Sequence, residues 1–375
     1  MNKSAIATCC FLISFLTGCN DQSKKTGKEP NPTDNNISIN HISGTAPSIY
    51  VSNGVIHLAF ASGDSILYCT STDKGQNFTQ PFLVGRVNEM AVVGGRGPQV
   101  AGSEDQLVIA VAGDKGNIYS YTKSGEKWIS NGSINDVPDI AKEGFVSLAA
   151  NGSGKFYAVW LDLRKDNKNK IGGSVSTDGG KTWSVNKIIY RSPDLSVCEC
   201  CKPSVVMKND HVAVMFRNWI NGNRDLYMIQ SQDGGNTFGE AEKLGKGSWS
   251  LKGCPMDGGG LVIDKDNHLQ TVWRREDKIF SSAPGVEENE IGKGKSCTME
   301  TVNGKNVYAW VENGEIVIMK PRGMKKVVGT GKLPVIKSIN NEHIVCTWEQ
   351  DKQINEKSLF KHYLSFCNIL VHICL

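Results

Sequence analysis

Three scarcities bound this 375-residue chain before any motif is read. Proline is scarce, 12 residues against 40 glycines, and with 39% hydrophobic and 8% aromatic residues this balance excludes a long helical bundle. It fits many short strands joined by tight turns. Net charge is nearly absent, +4 from 42 Lys and Arg against 38 Asp and Glu, spread along the chain, which excludes the basic footprint of a nucleic-acid binder. Long apolar runs are lacking too: the one that closes the chain, in "FKHYLSFCNILVHICL", is too short for a membrane span.

The N-terminus does carry an apolar run. Lys3 precedes residues 5–15, and "LTGC" follows at 16–19. This resembles a bacterial lipoprotein signal, in which small residues precede a Cys that is lipidated, here Cys19; an ordinary secretory signal is the alternative. Both imply export. Residues 1–18 are thus expected to be a signal peptide. Residues 19–36, without a large apolar side chain, read as a flexible tether, 37–357 as the folded domain and 358–375 as an irregular tail. The expected location is the cell envelope, lipid-anchored, in the periplasm or at the outer membrane.

What is present in quantity is repetition. "STDKGQNF", "STDGGKTW" and "SQDGGNTF" share the pattern Ser-x-Asp-x-Gly-x-x-aromatic: Ser71, Asp73, Gly75 and Phe78; Ser176, Asp178, Gly180 and Trp183; Ser231, Asp233, Gly235 and Phe238. A degenerate copy, "YTKSGEKW", has Lys123 at the acidic position, so the copies stand 50, 55 and 55 residues apart. Each box follows a strand-like run. Seven such runs, "IHLAF", "LVIAV", "FYAVW", "VAVMF", "LQTVW", "NVYAW" and "IVCTW", alternate with period 2 and are rich in β-branched and aromatic residues. Inner strands restart at Pro98, Gly144, Pro203, Cys254, Ser296 and Leu333 after a first at Ala46. The expected fold is an all-β propeller of four-stranded antiparallel blades, seven by this count and six as the alternative. The last repeat lacks an outer strand, and "ISINHIS" at 37–43 precedes the first, so the two are expected to pair in closing the ring.

In a meander the boxes occupy the turn between third and fourth strands, where Asp accepts backbone N–H bonds, Gly supplies positive φ and the aromatic plugs between strands. They read as structural. The opposite face, made of second-to-third loops and inter-blade links, is then the expected site. Its loops offer Asp162 and Arg164; Arg217, Trp219, Arg224 and Asp225; Arg274; and Asp114. Its links add Arg96, the "CECCKP" cluster, and Cys254 with Asp257. Guanidinium forks bind carboxylates at two points, so several at one channel mouth suggest an anion site, whereas pairing with local acids is the plain alternative.

Tandem boxes of this type in an exported propeller resemble the sialidase (neuraminidase) superfamily of BNR, or Asp-box, repeat proteins over roughly residues 44–350. The resemblance implies three arginines on a substrate carboxylate, a Tyr assisted by Glu as nucleophile and an Asp as acid/base. Arg96 in "RGP" matches the family's Arg-x-Pro; Arg164 and either Arg217 or Arg274 are the further arginine candidates, and Asp114 and Asp162 the acid/base candidates. The pattern departs at the nucleophile: Tyr308 lies in a second strand and Tyr363 in the tail.

Of twelve cysteines, Cys9, Cys10 and Cys19 belong to the signal, and Cys69, Cys297 and Cys346 fall in strands as small core residues. Cys198, Cys200, Cys201 and Cys254 lie in two links on the site face. A disulfide to Cys254 is one reading, and a thiolate site for copper or zinc another, although the C-x-C-C spacing matches no common zinc knuckle. No other cofactor is expected. Three functions stay open: a glycosidase acting on an acidic sugar, a non-catalytic carbohydrate- or protein-binding propeller with Trp219, Arg224, Asp225, Trp249 and Asp257 at its ligand, and a metal- or redox-linked propeller.

Overall fold

Every one of the seven alternating runs is the second strand of an antiparallel sheet, and the seven sheets form the blades of a β-propeller. The computed structural model describes residues 36–37 and 42–359, apart from 104–105, 114 and 195. The signal, Cys19, Asp114 and residues 360–375 therefore lie outside the described residues. The blades occupy 45–86, 99–133, 146–190, 204–243, 260–293, 295–330 and 332–359, numbered here 1 to 7. Six are four-stranded meanders, and the seventh has three strands of its own.

Three boundaries differ from the sequence reading. The fifth inner strand begins at Gly260, because the residues around Cys254 form the link before it. Asn36, placed in the tether, pairs with Ile37 against Phe78 and Thr79. The last strand, Gln353–Leu359, runs past residue 357.

Period-2 alternation marks a strand with one wet face, yet Phe156–Asp162 is buried at every position. The cause is architectural: a blade between two neighbours buries both faces. The hydrophobic clusters accordingly join adjacent blades. Tyr157, Val159, Val212 and Val214 pack across blades 3 and 4, and Ala110, Ile118, Ala158 and Trp160 across blades 2 and 3.

The ring closes where its ends meet. Ser43 bridges Gln353, the Gly44 N–H donates to the Lys352 carbonyl (2.8 Å) and the Ile354 N–H to that of Ile42 (3.0 Å). Residues 42–44 thus lie beside the third strand of blade 7, while Ile42, Ile49, Phe60, Ile339, Val345 and Ile354 share one cluster.

The boxes have one geometry. In blade 3, Ser176 Oγ donates to Asp178 Oδ1 (2.8 Å) and accepts from the Gly180 N–H (2.9 Å), and Asp178 also accepts from the Thr182 N–H (3.0 Å) and hydroxyl (2.6 Å). Ser71 with Asp73 and Ser231 with Asp233 repeat it. The aromatics plug between blades, not between strands of one sheet: Trp183 Nε1 reaches Ser120 of blade 2, and Phe238 packs on Tyr157 of blade 3. The copy with Lys123 keeps that role, since Trp128 meets Tyr68 of blade 1 edge-on at 5.1 Å.

Candidate functional site

Because every strand reverses direction, the inter-blade links and second-to-third loops converge opposite the boxes. There the first residues of the inner strands surround a central funnel. Its wide mouth, about 900 Å³, is bordered by residues such as Arg274, Lys295, Lys332 and Lys352, with Glu349 and Asp351 as the acids. It narrows past Gly94, Met256, Ser296 and Leu333 into a chamber of about 220 Å³.

The chamber's polar wall comes from Ser48, Arg96, Gln99, Lys202, Ser204 and Asp257. Lys202 stands immediately before Pro203, whose fixed φ opens the inner strand of blade 4. Its ammonium donates to Gln99 Oε1 (2.9 Å), and among the described residues no carboxylate pairs with it. Enclosure away from water disfavours the charge and draws its pKa down to about 8. Arg96 lies over the Phe145 ring at 4.0 Å and gives Nε to the Glu143 carbonyl (2.5 Å) and Nη1 to that of Val93 (2.8 Å). Burial lowers its pKa as well. Asp257 is buried: its carboxylate accepts the Ser296 N–H (2.7 Å), and desolvation raises its pKa against the pull of Arg217 and Arg274. Gly258 follows for a steric reason, since a side chain there would strike the Lys202 backbone.

The other arginines are used locally. Arg164 is held by Asp162 Oδ1 (2.9 Å) and Asp136 (3.3 Å), and fully buried Asp162 also accepts Trp160 Nε1 (2.9 Å). Arg217, 1% exposed, gives its guanidinium to the carbonyls of Asp257, Arg224 and Arg274. Arg274 Nε donates to the Glu276 carbonyl (2.5 Å). Arg224 grips Glu199 through both terminal nitrogens (3.1 and 3.2 Å) and lies over Trp219.

Two aromatics expected at the rim separate. Trp219 is 41% exposed, but Trp249 is 7% exposed and sits between Arg217 and Arg274, each 5.3 Å from its ring, with its backbone N–H on Asp225. Trp249 is therefore an internal brace and not a stacking platform. Asp225 is likewise committed, to that N–H and to Lys243 (3.1 Å).

The cysteines gather beside this wall. Cys200 and Cys254 form a disulfide that ties the blade 3–4 link to the blade 4–5 link, and Cys198 and Cys201 are buried free thiols. Cys198 Sγ lies 3.6 Å from both Cys200 Sγ and Cys201 Sγ, with Arg224 Nη1 at 3.0 Å. The hydrogen bond between Cys198 and Cys201, aided by Arg224 and Arg217, lowers the Cys198 pKa, while burial and Cys198 raise that of Cys201. Cys69, Cys297 and Cys346 are buried and apart from this group, with Cys297 on the chamber wall.

Sequence reasoning missed Lys202 and Gln99. The signal available was positional: Pro47, Pro98, Pro203 and Pro334 open inner strands, so the residues flanking these prolines face the axis.

No protein-family model matches the chain, and no curated protein matches it. Among solved structures it is similar to a PL25 ulvan lyase, with a TM-score of 0.56 and 10% identity over 87% of this chain and 96% of that one. That lyase is also seen bound to -[GlcA(1-4)Rha3S]-. A protein of Dyadobacter fermentans DSM 18053 gives 0.51 and 15% over 87% and 98%. A mutant of the NanB sialidase of Streptococcus pneumoniae gives 0.44 and 12% over 92% and 73%. At these identities the likeness is one of fold.

Proposed function

We propose that this propeller binds an anionic saccharide in its central funnel, with a carboxylate or sulfate seated against Lys202 and Arg96. The observation that carries the reading is the Lys202 ammonium on the chamber wall, whose one hydrogen bond among the described residues goes to a neutral amide. A half-buried cation that no carboxylate among the described residues offsets gains from an incoming anion. Cations outnumber acids at the mouth as well, with Arg274, Lys295, Lys332 and Lys352 against Glu349 and Asp351. A ligand of that class in a propeller of similar fold, the uronate-containing chain on the ulvan lyase, adds support. In this reading the protein is exported and held at the cell envelope by lipid on Cys19.

Sialidase-type hydrolysis asks for more. Three guanidiniums must share one carboxylate above a Tyr–Glu pair, but Arg164 is paired to acids, Arg217 is filled by carbonyls, and no tyrosine borders the chamber or its mouth among the described residues. Binding without cleavage is therefore the favoured form.

Calorimetric titration of the purified protein with oligo-uronates and sialosides, alongside their neutral counterparts, tests this. The acidic sugars are expected to bind, the neutral ones to bind at least tenfold more weakly, and Lys202→Ala to lose at least tenfold, the value of a charge-assisted contact of about 1.5–3 kcal/mol. Affinity is expected to fall above pH 8 as Lys202 deprotonates. Equal binding by wild type and Lys202→Ala would remove the funnel floor from the site, and release of product from a fluorogenic sialoside would restore the hydrolase reading.

A further inference from the structure

The cysteine cluster is not needed for saccharide binding, and its arrangement points elsewhere. Three sulfurs, those of Cys198, Cys200 and Cys201, lie within 4.8 Å of one another, and Cys254 brings the fourth by its bond to Cys200. They come from two separate links, so the fold itself assembles them. Three of the four residues are buried.

The surroundings are cationic. Arg224 Nη1 lies 3.0 Å from Cys198 Sγ, and fully buried Arg217, whose carbonyl accepts the Cys198 N–H (3.0 Å), brings a second guanidinium to the cluster. A disulfide with two neutral thiols calls for no such positive field. Four thiolates on a divalent ion, or three on a monovalent one, carry a net charge of about −2, which the guanidiniums of Arg217 and Arg224, the latter shared with Glu199, offset in part.

We propose that Cys198, Cys200, Cys201 and Cys254, once reduced, form a binding site for a soft thiophilic metal ion, Zn(II) or Cu(I). Thiolate ligands select these ions, and a four-sulfur set suits tetrahedral coordination. Entry requires a dithiol reductant, which passes two electrons and two protons to the Cys200–Cys254 bond and leaves as its own disulfide. The thiols then release their protons to solvent as sulfur–metal bonds form. The site stands beside the funnel wall: Lys202 follows Cys201 directly, and Asp257 lies three residues after Cys254.

The test uses the full chain, reduced, freed of reductant and kept anaerobic. Cd(II), as a spectroscopic stand-in for Zn(II), and Cu(I) are titrated separately against a competing chelator. One ion per chain is expected, with a near-ultraviolet sulfur-to-metal charge-transfer band and joint protection of the four cysteines from alkylation, read by peptide mass. Cys201→Ser is expected to weaken binding at least a hundredfold. Arg224→Gln, which removes no ligand, is expected to weaken it about tenfold or more through the lost charge. Uptake of either ion in this pattern supports the site, and the two arms decide which ion. Four alkylatable thiols with no stoichiometric uptake, or uptake undiminished in both variants, would overturn it.

Discussion

At the scale of single residues, the groups that depart furthest from their ordinary chemistry are those the ring encloses without a partner. Glu356 is the clearest. Its carboxyl lies in blade 7 beneath Gly75 of the first box, where even a methyl on that glycine would come within 2.7 Å of Oε1. Among the described residues that oxygen has no hydrogen-bond partner. Burial first, and then the charge of Asp73, push its pKa from 4.5 up to about 8. A carboxyl raised in the folded state makes its full contribution below pH 4.5, and the contribution is lost as pH rises through about 8. His57, lowered by burial to about 4, works in the opposite sense but only below its ordinary 6.5. Between pH 6.5 and 8 the lowered Cys198 thiol also titrates, but its contribution is common to wild type and Glu356→Gln and cancels between them. Urea unfolding should show the wild type losing about 2 kcal/mol across this window, at roughly 1.4 kcal/mol per pH unit, relative to Glu356→Gln. Parallel curves for the two proteins would mean that the carboxyl is ionised in the native state.

At the scale of elements, each blade is held less by its own hairpins than by what it receives from its neighbour. Strand glycines show this directly. Gly292 in the outer strand of blade 5 lies under Trp310 of blade 6, whose ring would be 2.6 Å from an added methyl. Gly329 sits beneath Trp348 of blade 7 in the same way. Gly292→Ala forces that fully buried indole to shift and is expected to cost about 1–3 kcal/mol, a fall of a few degrees in Tm. Gly239→Ala, where the nearest atom would be 3.8 Å away, is expected to change stability by less than about 0.5 kcal/mol. Differential scanning calorimetry of the two variants separates blade packing from a general glycine effect. The same dependence explains what could be read from the chain. The second strands and boxes were legible because local chemistry dictates them: alternation makes the strand, and Ser and Asp at fixed spacing satisfy the turn's N–H groups. The funnel was not, because its wall is one to three residues from each of five blades together with the links before blades 2, 4 and 5, between Ala46 and Val335, with no spacing rule linking them. The fates of Arg217 and Trp249 were hidden for the same reason, since carbonyls from three different segments fill the guanidinium.

At the scale of the whole molecule, seven nearly equal blades leave one problem that none of them solves alone, which is how the ring stays shut. Blade 7 supplies only three strands after residue 332. The missing edge is taken up by residues 42–44, which exchange two backbone hydrogen bonds with Lys352 and Ile354. Packing reinforces the seam, because Ile42 is 2% exposed within the cluster that joins blade 1 to blade 7, and a side chain at Gly44 would collide with Phe60. An open ring would expose the flank of that cluster and an unpaired strand edge, both unfavourable in water. Closure should therefore be cooperative with the fold as a whole. Ile42→Ala, a change at the start of the domain and far in sequence from blade 7, is expected to lower the free energy of unfolding by about 2–4 kcal/mol, as for a core isoleucine. It should do so as a single shifted transition, with hydrogen exchange accelerating in Gln353–Leu359 as well as in Thr45–Ser52. Val185→Ala, on a side chain 80% exposed, provides the control and should leave both signals in place. If Ile42→Ala behaved like Val185→Ala, the ring would be held by face-to-face blade packing alone, and the paired segment would be an appendage.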